Sequence, residues 1–356
     1  MERSVDRPRP RPRAGLFSAL LLVGLALIAA CASPQGQGGA PSQSTGGAQP
    51  AARPAEITKV PLILNFRFDP TFAPLLYGTE KGFFREQGVE LDIVPGRGSD
   101  LAMQQINENK LQFAFTDLLT YLLQRAKGET PTTAVMSYFD SQTIGVVANA
   151  PVSRPQDLSG RSWGTVPFSS GRFLLPLTLK SNGVDPSTVQ VELMDFGVLY
   201  PSLLEGKIDS AEAHIASSLV TVQQAAEKVG KQLYYAPLSD WGLRGYAKII
   251  IVRDDLISSN PDLVRRMTTA LMRSLDEARA KASDDEIVNL VMKYDVQYQR
   301  DQVLPQWIDF KQALKNPGPI DPAVVQANLN YMAEGQDVRT DLRPEQLFTN
   351  EFLPTP

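Results

Sequence analysis

The stretch LILNFRFDPTFAPLLYGTEKGFFREQG, residues 62–88, decides the reading of the chain. Leu62, Ile63 and Leu64, followed by alternating Phe66 and Phe68, have the make-up of a buried strand. Asp69 then supplies an N-cap and Pro70 a first helical residue, since Asp accepts from free backbone N–H groups and Pro has none to lose. The spacing of Phe72, Leu75, Leu76, Thr79 and Phe83 predicts one helix running to Gly88, and residues 89–94 predict a second strand. The opening unit is therefore strand, helix, strand.

The alternation continues. Helix patterns over 99–109 and 117–127 flank a strand at 112–115, and 133–138 and 143–148 read as further strands. A second series begins after Pro151, with strands at 162–166, 189–194, 208–213 and 232–235, and helices at 170–182, 198–206 and 217–229. YAKIIIV, residues 246–252, is a strongly apolar strand, and Asn260 with Pro261 opens a helix carrying Leu263, Val264, Met267, Leu271 and Leu275 on one face. Such alternation means α/β layers, and the residues beyond 56 are numerous enough for two cores.

Several of these residues carry a resemblance. FAPLLYGTEKGFFREQGVELDI, GRGS, FAFTD, DLSGRSWGT at 157–165 and LLEGKIDSAEA at 203–213 resemble bacterial ABC-transporter solute-binding proteins of the nitrate, sulfonate, taurine and thiamine-pyrimidine-precursor group. The resemblance implies an α/β, two-lobe type II periplasmic-binding-protein fold with a ligand cleft between the lobes. Residues 57–150 plus 246–356 would form lobe 1 and residues 151–245 lobe 2, joined by two crossing strands. It also implies an ABC permease and its ATPase as partners.

Toward the start, Arg3, Arg7, Arg9, Arg11 and Arg13 precede an uncharged run over 14–30 that ends LIAAC. That layout predicts a signal peptide over 1–30, resembling a lipoprotein box in which Cys31 carries the lipid. A short transmembrane anchor is the competing reading, but the run is at the short limit for spanning. Residues 31–56, dominated by Ala, Gly, Ser, Gln and Pro with no aromatic residue, read as a disordered tether. The expected location is extracytoplasmic, lipid-anchored to the outer face of the cell membrane.

Composition narrows the function. Of 35 basic and 39 acidic residues, five and two lie before Cys31, leaving 30 against 37 and a net charge of −7 beyond the cut. A mildly acidic chain is a poor nucleic-acid binder. Cys31 is the only cysteine and His214 the only histidine, so no disulfide framework, thiolate metal site or cysteine nucleophile is expected in the body. The yeast pyrimidine synthases resemble this chain in the opening unit, but their cysteine-rich iron site and sacrificed histidine have no counterpart here. No H-E-x-x-H, G-x-S-x-G or phosphate-loop motif occurs. The expectation is a monomeric binding protein without cofactor or metal, with an enzyme of the pyrimidine-synthase-like branch or a hydrolase using Asp69 and Glu212 as the alternative.

In open α/β sheets ligand-binding groups collect beyond the carboxyl ends of strands. Arg97 and Ser99 in GRGS, and Phe168, Ser169, Ser170 and Gly171 in FSSGR, precede helices whose free N–H groups suit an acceptor or anion, though both loops also read as ordinary capped turns. Asp69 and Asp117 are expected to cap helices and, where they face the cleft, to meet ligand. Phe68, Phe168 and Trp241, in loops, are the expected aromatic wall. Glu212 and His214 flank Ala213, on one face of a strand, and suit an amine or aminopyrimidine; a solvated strand end is the plainer reading. Arg67, Arg97 and Arg172 would instead select an anion by bidentate pairing. The expected ligand is a flat heteroaromatic of the thiamine-pyrimidine-precursor kind, ahead of sulfonate, nitrate or taurine-like anions.

Overall fold

The computed structural model describes residues 57–128, 130–335 and 341–355, which lie within one compact unit. The signal-peptide, Cys31 and tether readings fall on residues outside those described.

In chain order the strands are β1 (Thr58–Ile63), β2 (Val89–Val94), β3 (Phe113–Thr116), β4 (Thr132–Phe139), β5 (Ile144–Ala148), β6 (Ser162–Thr165), β7 (Gln190–Leu193), β8 (Ser210–His214), β9 (Tyr234–Pro237) and β10 (Lys248–Arg253). They form two five-stranded sheets, β2-β1-β3-β10-β4 and β7-β6-β8-β5-β9. β1 runs parallel to β2 and β3, and β6 parallel to β7 and β8, because helices cross over between them. β10 and β5 run antiparallel to their neighbours and hold the same place in their respective sheets.

This pairing corrects the expected boundary at 150. β5 belongs to the second sheet, so the chain first crosses at residues 140–143 and returns between β9 and β10. Its sequence, IGVVA, is buried along its whole length and gives no sign of which sheet it joins.

The opening unit forms with one correction. Asp69 Oδ1 accepts from Thr71 N at 3.0 Å, capping a 3-10 turn at Pro70–Phe72 that leads into a helix at Ala73–Glu80. The expected single helix then breaks at Gly82, whose φ of 81° lies in the left-handed region, before a last turn at Phe83–Glu86. Side-chain spacing alone does not register such a backbone break.

Strand alternation divides the core. Leu62, Phe113, Phe115, Ile250 and Val252 face the C-terminal helices, whereas Ile63, Ala114, Ile249 and Ile251 face the other way. The second set is continuous with Val146, Trp163, Leu174 and Leu175 of the second lobe, so one apolar cluster runs across both lobes. A third, smaller cluster around Leu199, Leu203, Ile208 and Val222 belongs to the second sheet. The outer edge of β4 is covered by later chain, with Ser137 exchanging bonds with Gly318 at 2.9 and 2.7 Å and Ala134 N donating to Leu347 O at 3.0 Å.

The lobes are closed on each other. Asp100 N donates to Phe168 O at 3.3 Å, Ser217 Oγ to Asp69 Oδ2 at 2.8 Å, and Gln306 Nε2 to Thr221 Oγ1 at 3.1 Å.

Candidate functional site

The carboxyl ends of the parallel strands and the amino ends of β5 and β10 meet at one edge of each sheet, and the two edges face each other across a cavity. Asn65, Phe66, Asp69 and Thr71 follow β1; Gly98 and Ser99 follow β2; Asp117 follows β3. Ser169 and Ser170 follow β6, Phe196 and Tyr200 follow β7, and Glu212, His214, Ser217 and Ser218 end or follow β8. Lys248 opens β10, and Phe139, Gln142 and Thr143 lie at the first crossing. The envelope between atoms is about 780 Å³, which includes solvent at the mouth. The space open to the centre of a water is smaller, about 80 Å³. At ~10–15 Å³ per water that enclosed space holds roughly five to eight waters.

Glu212 is held by the protein's own donors. It is 6% exposed and accepts from Thr165 Oγ1 and Ser169 Oγ, while His214 Nε2 lies 2.7 Å from Oε1. Burial pushes its carboxyl up, but the His214 hydrogen bond and charge, with Ser169 and Thr165, outweigh burial and hold it below the ordinary carboxylate value. The other ring nitrogen, His214 Nδ1, lies 3.2 Å from Thr143 Oγ1. Tyr200 Oη donates to the Glu212 carbonyl at 3.0 Å, and burial pushes its phenol well up.

Across the cavity Asp69, 1% exposed, is also satisfied: Oδ1 takes Thr71 and Oδ2 takes Ser217. Asp117, 4% exposed, caps the helix Leu118–Ala126 through Oδ1, which accepts from Thr120 N at 2.9 Å. Ser99 Oγ braces the same loop, accepting from Asn65 Nδ2 and Asp117 N, each at 3.2 Å. Lys248 is 8% exposed and sits 4.5 Å above the Phe72 ring. Burial lowers its pKa against the opposing pull of the Asp69 and Asp117 charges.

Of the expected residues, Asp69, Ser99, Asp117, Ser169, Ser170, Glu212 and His214 line the cavity. The others do not. The Arg67 guanidinium stacks 4.9 Å from both the Phe196 and Tyr298 rings, and Arg97 points to solvent. Arg172 donates to Pro167 O in its own loop and lies 4.0 Å from Asp100 Oδ2 across the seam between the lobes, so it braces the closure and does not line the cavity. Phe68 packs on Tyr294 at 5.5 Å, and Trp241 is buried in the apolar cluster shared by the lobes. Phe168 brings its carbonyl onto the loop carrying Gly98 and contributes no wall. Gly171 lies behind Glu212; a Cβ there would sit 2.1 Å from Oε2. The aromatic wall is instead Phe66, Phe139, Phe196 and Tyr200, with Phe66 and Phe196 edge to face at 5.4 Å.

Lys248 was not anticipated. Its signal in the sequence is a lone cation inside the apolar run YAKIIIV, a place lysine rarely occupies without a polar cavity to enter. Among the described residues no cluster of three or more His, Cys, Asp or Glu side chains is placed to hold a metal ion.

A family model described as NMT1/THI5 like matches residues 69–284, more than half the chain and every cavity element from Asp69 to Lys248. The chain belongs to the NMT1/THI5-like family. Among curated proteins of similar sequence is riboflavin-binding protein RibY of Chloroflexus aurantiacus, 26% identical over 349 residues and covering 92% of this chain and 95% of RibY. A 4-amino-5-hydroxymethyl-2-methylpyrimidine phosphate synthase of Saccharomyces cerevisiae is 25% identical over 229 residues, covering 61% of this chain and 66% of the yeast enzyme. A solved protein of Bordetella bronchiseptica superposes with a TM-score of 0.68 at 24% identity, covering 83% of this chain and 95% of that one. The periplasmic aliphatic sulphonate binding protein SsuA of Escherichia coli does so at 0.60 and 13%, covering 80% and 91%. This NMT1/THI5-like chain therefore has the two-lobe periplasmic-binding-protein fold.

Proposed function

We propose that the protein is the extracytoplasmic solute-binding component of an ABC importer. It captures a flat nitrogen heterocycle carrying N–H groups, by closure of the lobes, and passes it unchanged to a permease whose ATPase supplies the energy. It works as a monomer, held to the outer face of the membrane through a lipid on Cys31.

One observation carries the ligand class: among the described residues three buried carboxylates, Asp69, Asp117 and Glu212, line the cavity with Lys248 and no arginine, and Asp117 Oδ2 is the carboxylate oxygen left without a protein donor. A sulfonate or nitrate would meet carboxylates where it needs guanidinium groups. A heterocycle with an N–H donor meets the open Asp117 oxygen, between aromatic rings that suit a flat guest. A 4-aminopyrimidine of the kind named for the yeast relative has this chemistry. A flavin is the second reading, supported by the named ligand of RibY, whose likeness runs nearly the length of the chain, and by the four rings in the wall.

Closure follows from differential binding: a ligand touching both lobes favours the closed form by the contacts it makes only there. No chemistry is required of the site. Melting shifts across aminopyrimidines, riboflavin, alkylsulfonates and nitrate test the reading. Stabilisation by a heterocycle and none by the anions is expected; the reverse order, or a modified ligand recovered after long incubation, overturns it.

A further inference from the structure

We propose that Lys248 and Asp117 act as a donor–acceptor pair that reads one edge of the solute, an N–H group lying beside a ring-nitrogen or carbonyl acceptor. The inference rests on the heterocycle reading above and names the part of the ligand that decides affinity.

The charged groups of the cavity divide by whether the protein already satisfies them. Glu212 takes three side-chain donors, and both oxygens of Asp69 are taken. Asp117 is different: Oδ1 caps its helix, while Oδ2 is buried with no hydrogen-bond partner among the described residues. Lys248 is the matching case of opposite sign. Its ammonium makes no hydrogen bond and has no carboxylate oxygen within 4.0 Å among the described residues, only the Phe72 ring. A carboxylate oxygen buried without a donor is costly, and an ammonium that opens onto a cavity without a protein acceptor has a place to fill, so an incoming group that pairs with both gains on each side.

Strand pairing puts the two side by side. β10 and β3 are antiparallel with Ile249 opposite Thr116, so the register continued by one position sets Lys248 across from Asp117. Leu118 N donates to Tyr246 O at 3.0 Å, which holds that end of the ladder together. The Asp69 and then the Asp117 carboxylate favour the charged lysine, yet neither closes into an ion pair with it. A ligand edge presenting hydrogen to Asp117 and a lone pair to Lys248 completes both. A 4-aminopyrimidine offers its exocyclic N–H beside a ring nitrogen; a flavin offers its imide N–H beside a carbonyl. A sulfonate offers acceptors alone, satisfying Lys248 while facing Asp117 with like charge.

The test uses two parent probes, 4-amino-5-hydroxymethyl-2-methylpyrimidine and riboflavin, and counterparts with the edge N–H replaced by N-methyl. Titration calorimetry of the purified protein should show binding of at least one parent and at least about 30-fold weaker binding of its methylated partner. Lys248→Met and Asp117→Asn should each weaken the parent about 10-fold or more and shrink the gap between parent and methylated probe. Asn keeps the helix cap, and retained melting transitions show that the variants fold. The double variant should lose less than the product of the two single losses, because each residue's value depends on the other. Parent binding that ignores both the methylation and the substitutions overturns the pair and leaves the heterocycle reading standing. Failure of the wild type to bind either parent overturns both.

Discussion

Ser217 Oγ donates a 2.8 Å hydrogen bond to Oδ2 of Asp69, and that single bond joins the second lobe to the first inside the cavity wall. Both residues are buried, and the acceptor is a carboxylate that also caps the opening turn of the fold. The same aspartate therefore organises a local turn and fastens the lobes.

Ser217→Ala removes this clasp and leaves one buried carboxylate oxygen without its donor. A hydrogen bond to a charged group contributes about 1.5–3 kcal/mol, so ligand affinity should fall about 10-fold or more. Small-angle scattering of the ligand-free variant should show a larger radius of gyration than the wild type. An unchanged radius and affinity would mean the bond does not hold the lobes.

Gly98→Ala should open the same closure from the other side. Gly98 has a φ of 141°, and a Cβ on it would fall 1.9 Å from the Phe168 carbonyl oxygen, across the seam between the lobes. The seam cannot accept that atom without separating the loops at residues 96–100 and 166–170. Thermal melting of the ligand-free protein should drop by the equivalent of about 1 kcal/mol or more, and the melting shift on adding ligand should shrink.

Lys248→Met should stabilise the free protein. Burial holds the folded-state pKa of Lys248 below its ordinary 10.5, so between those values the unfolded chain binds more protons than the folded one. Wild-type stability thus rises with pH between the lowered folded value and 10.5, and below the folded value the full cost of the buried charge is present. Methionine removes the cost, raising the melting temperature at pH 7 by a few degrees for about 1 kcal/mol and flattening that rise. A variant that is more stable and binds less tightly separates the lysine's binding role from any structural one.

Glu212 gives the opposite pH signature. Its folded-state pKa lies below the ordinary 4.5, so its contribution is present above about 4.5 and is lost as pH falls through the lower folded value. Glu212→Gln should be less stable than wild type at pH 7, by about 1–3 kcal/mol through the Thr165, Ser169 and His214 contacts. The difference should narrow in melting scans run below pH 4.5. A constant difference across that range would place the Glu212 carboxylate outside the network described.

Periodicity and capping made much of the fold legible. Asp69 and Asp117 cap the elements the sequence assigns to them, because capping depends on local chemistry, whereas the return of the strand at 246–252 to the first sheet was implied by the family resemblance and not by its residues. The break at Gly82 depends on a backbone dihedral, and the exchange of β5 into the second sheet depends on long-range pairing; neither leaves a local trace. In the site, Glu212 and His214 were readable together because alternation puts residues two apart on one face. Lys248 leaves one trace, a cation inside an apolar run, whereas Phe139, Gln142 and Thr143 lie where the chain crosses, a place recognisable only once both sheets are known. Arg67 and Trp241 misled for a common reason: large side chains in loops pack on rings or in cores as readily as they face a cleft.

Native mass spectrometry of the purified protein against an equimolar set of aminopyrimidine, riboflavin, alkylsulfonate and taurine tests the central claim most directly. The account predicts a one-to-one complex with a nitrogen heterocycle, released afterwards with its mass unchanged. A complex with an anion alone, or release of a ligand of altered mass, would contradict it.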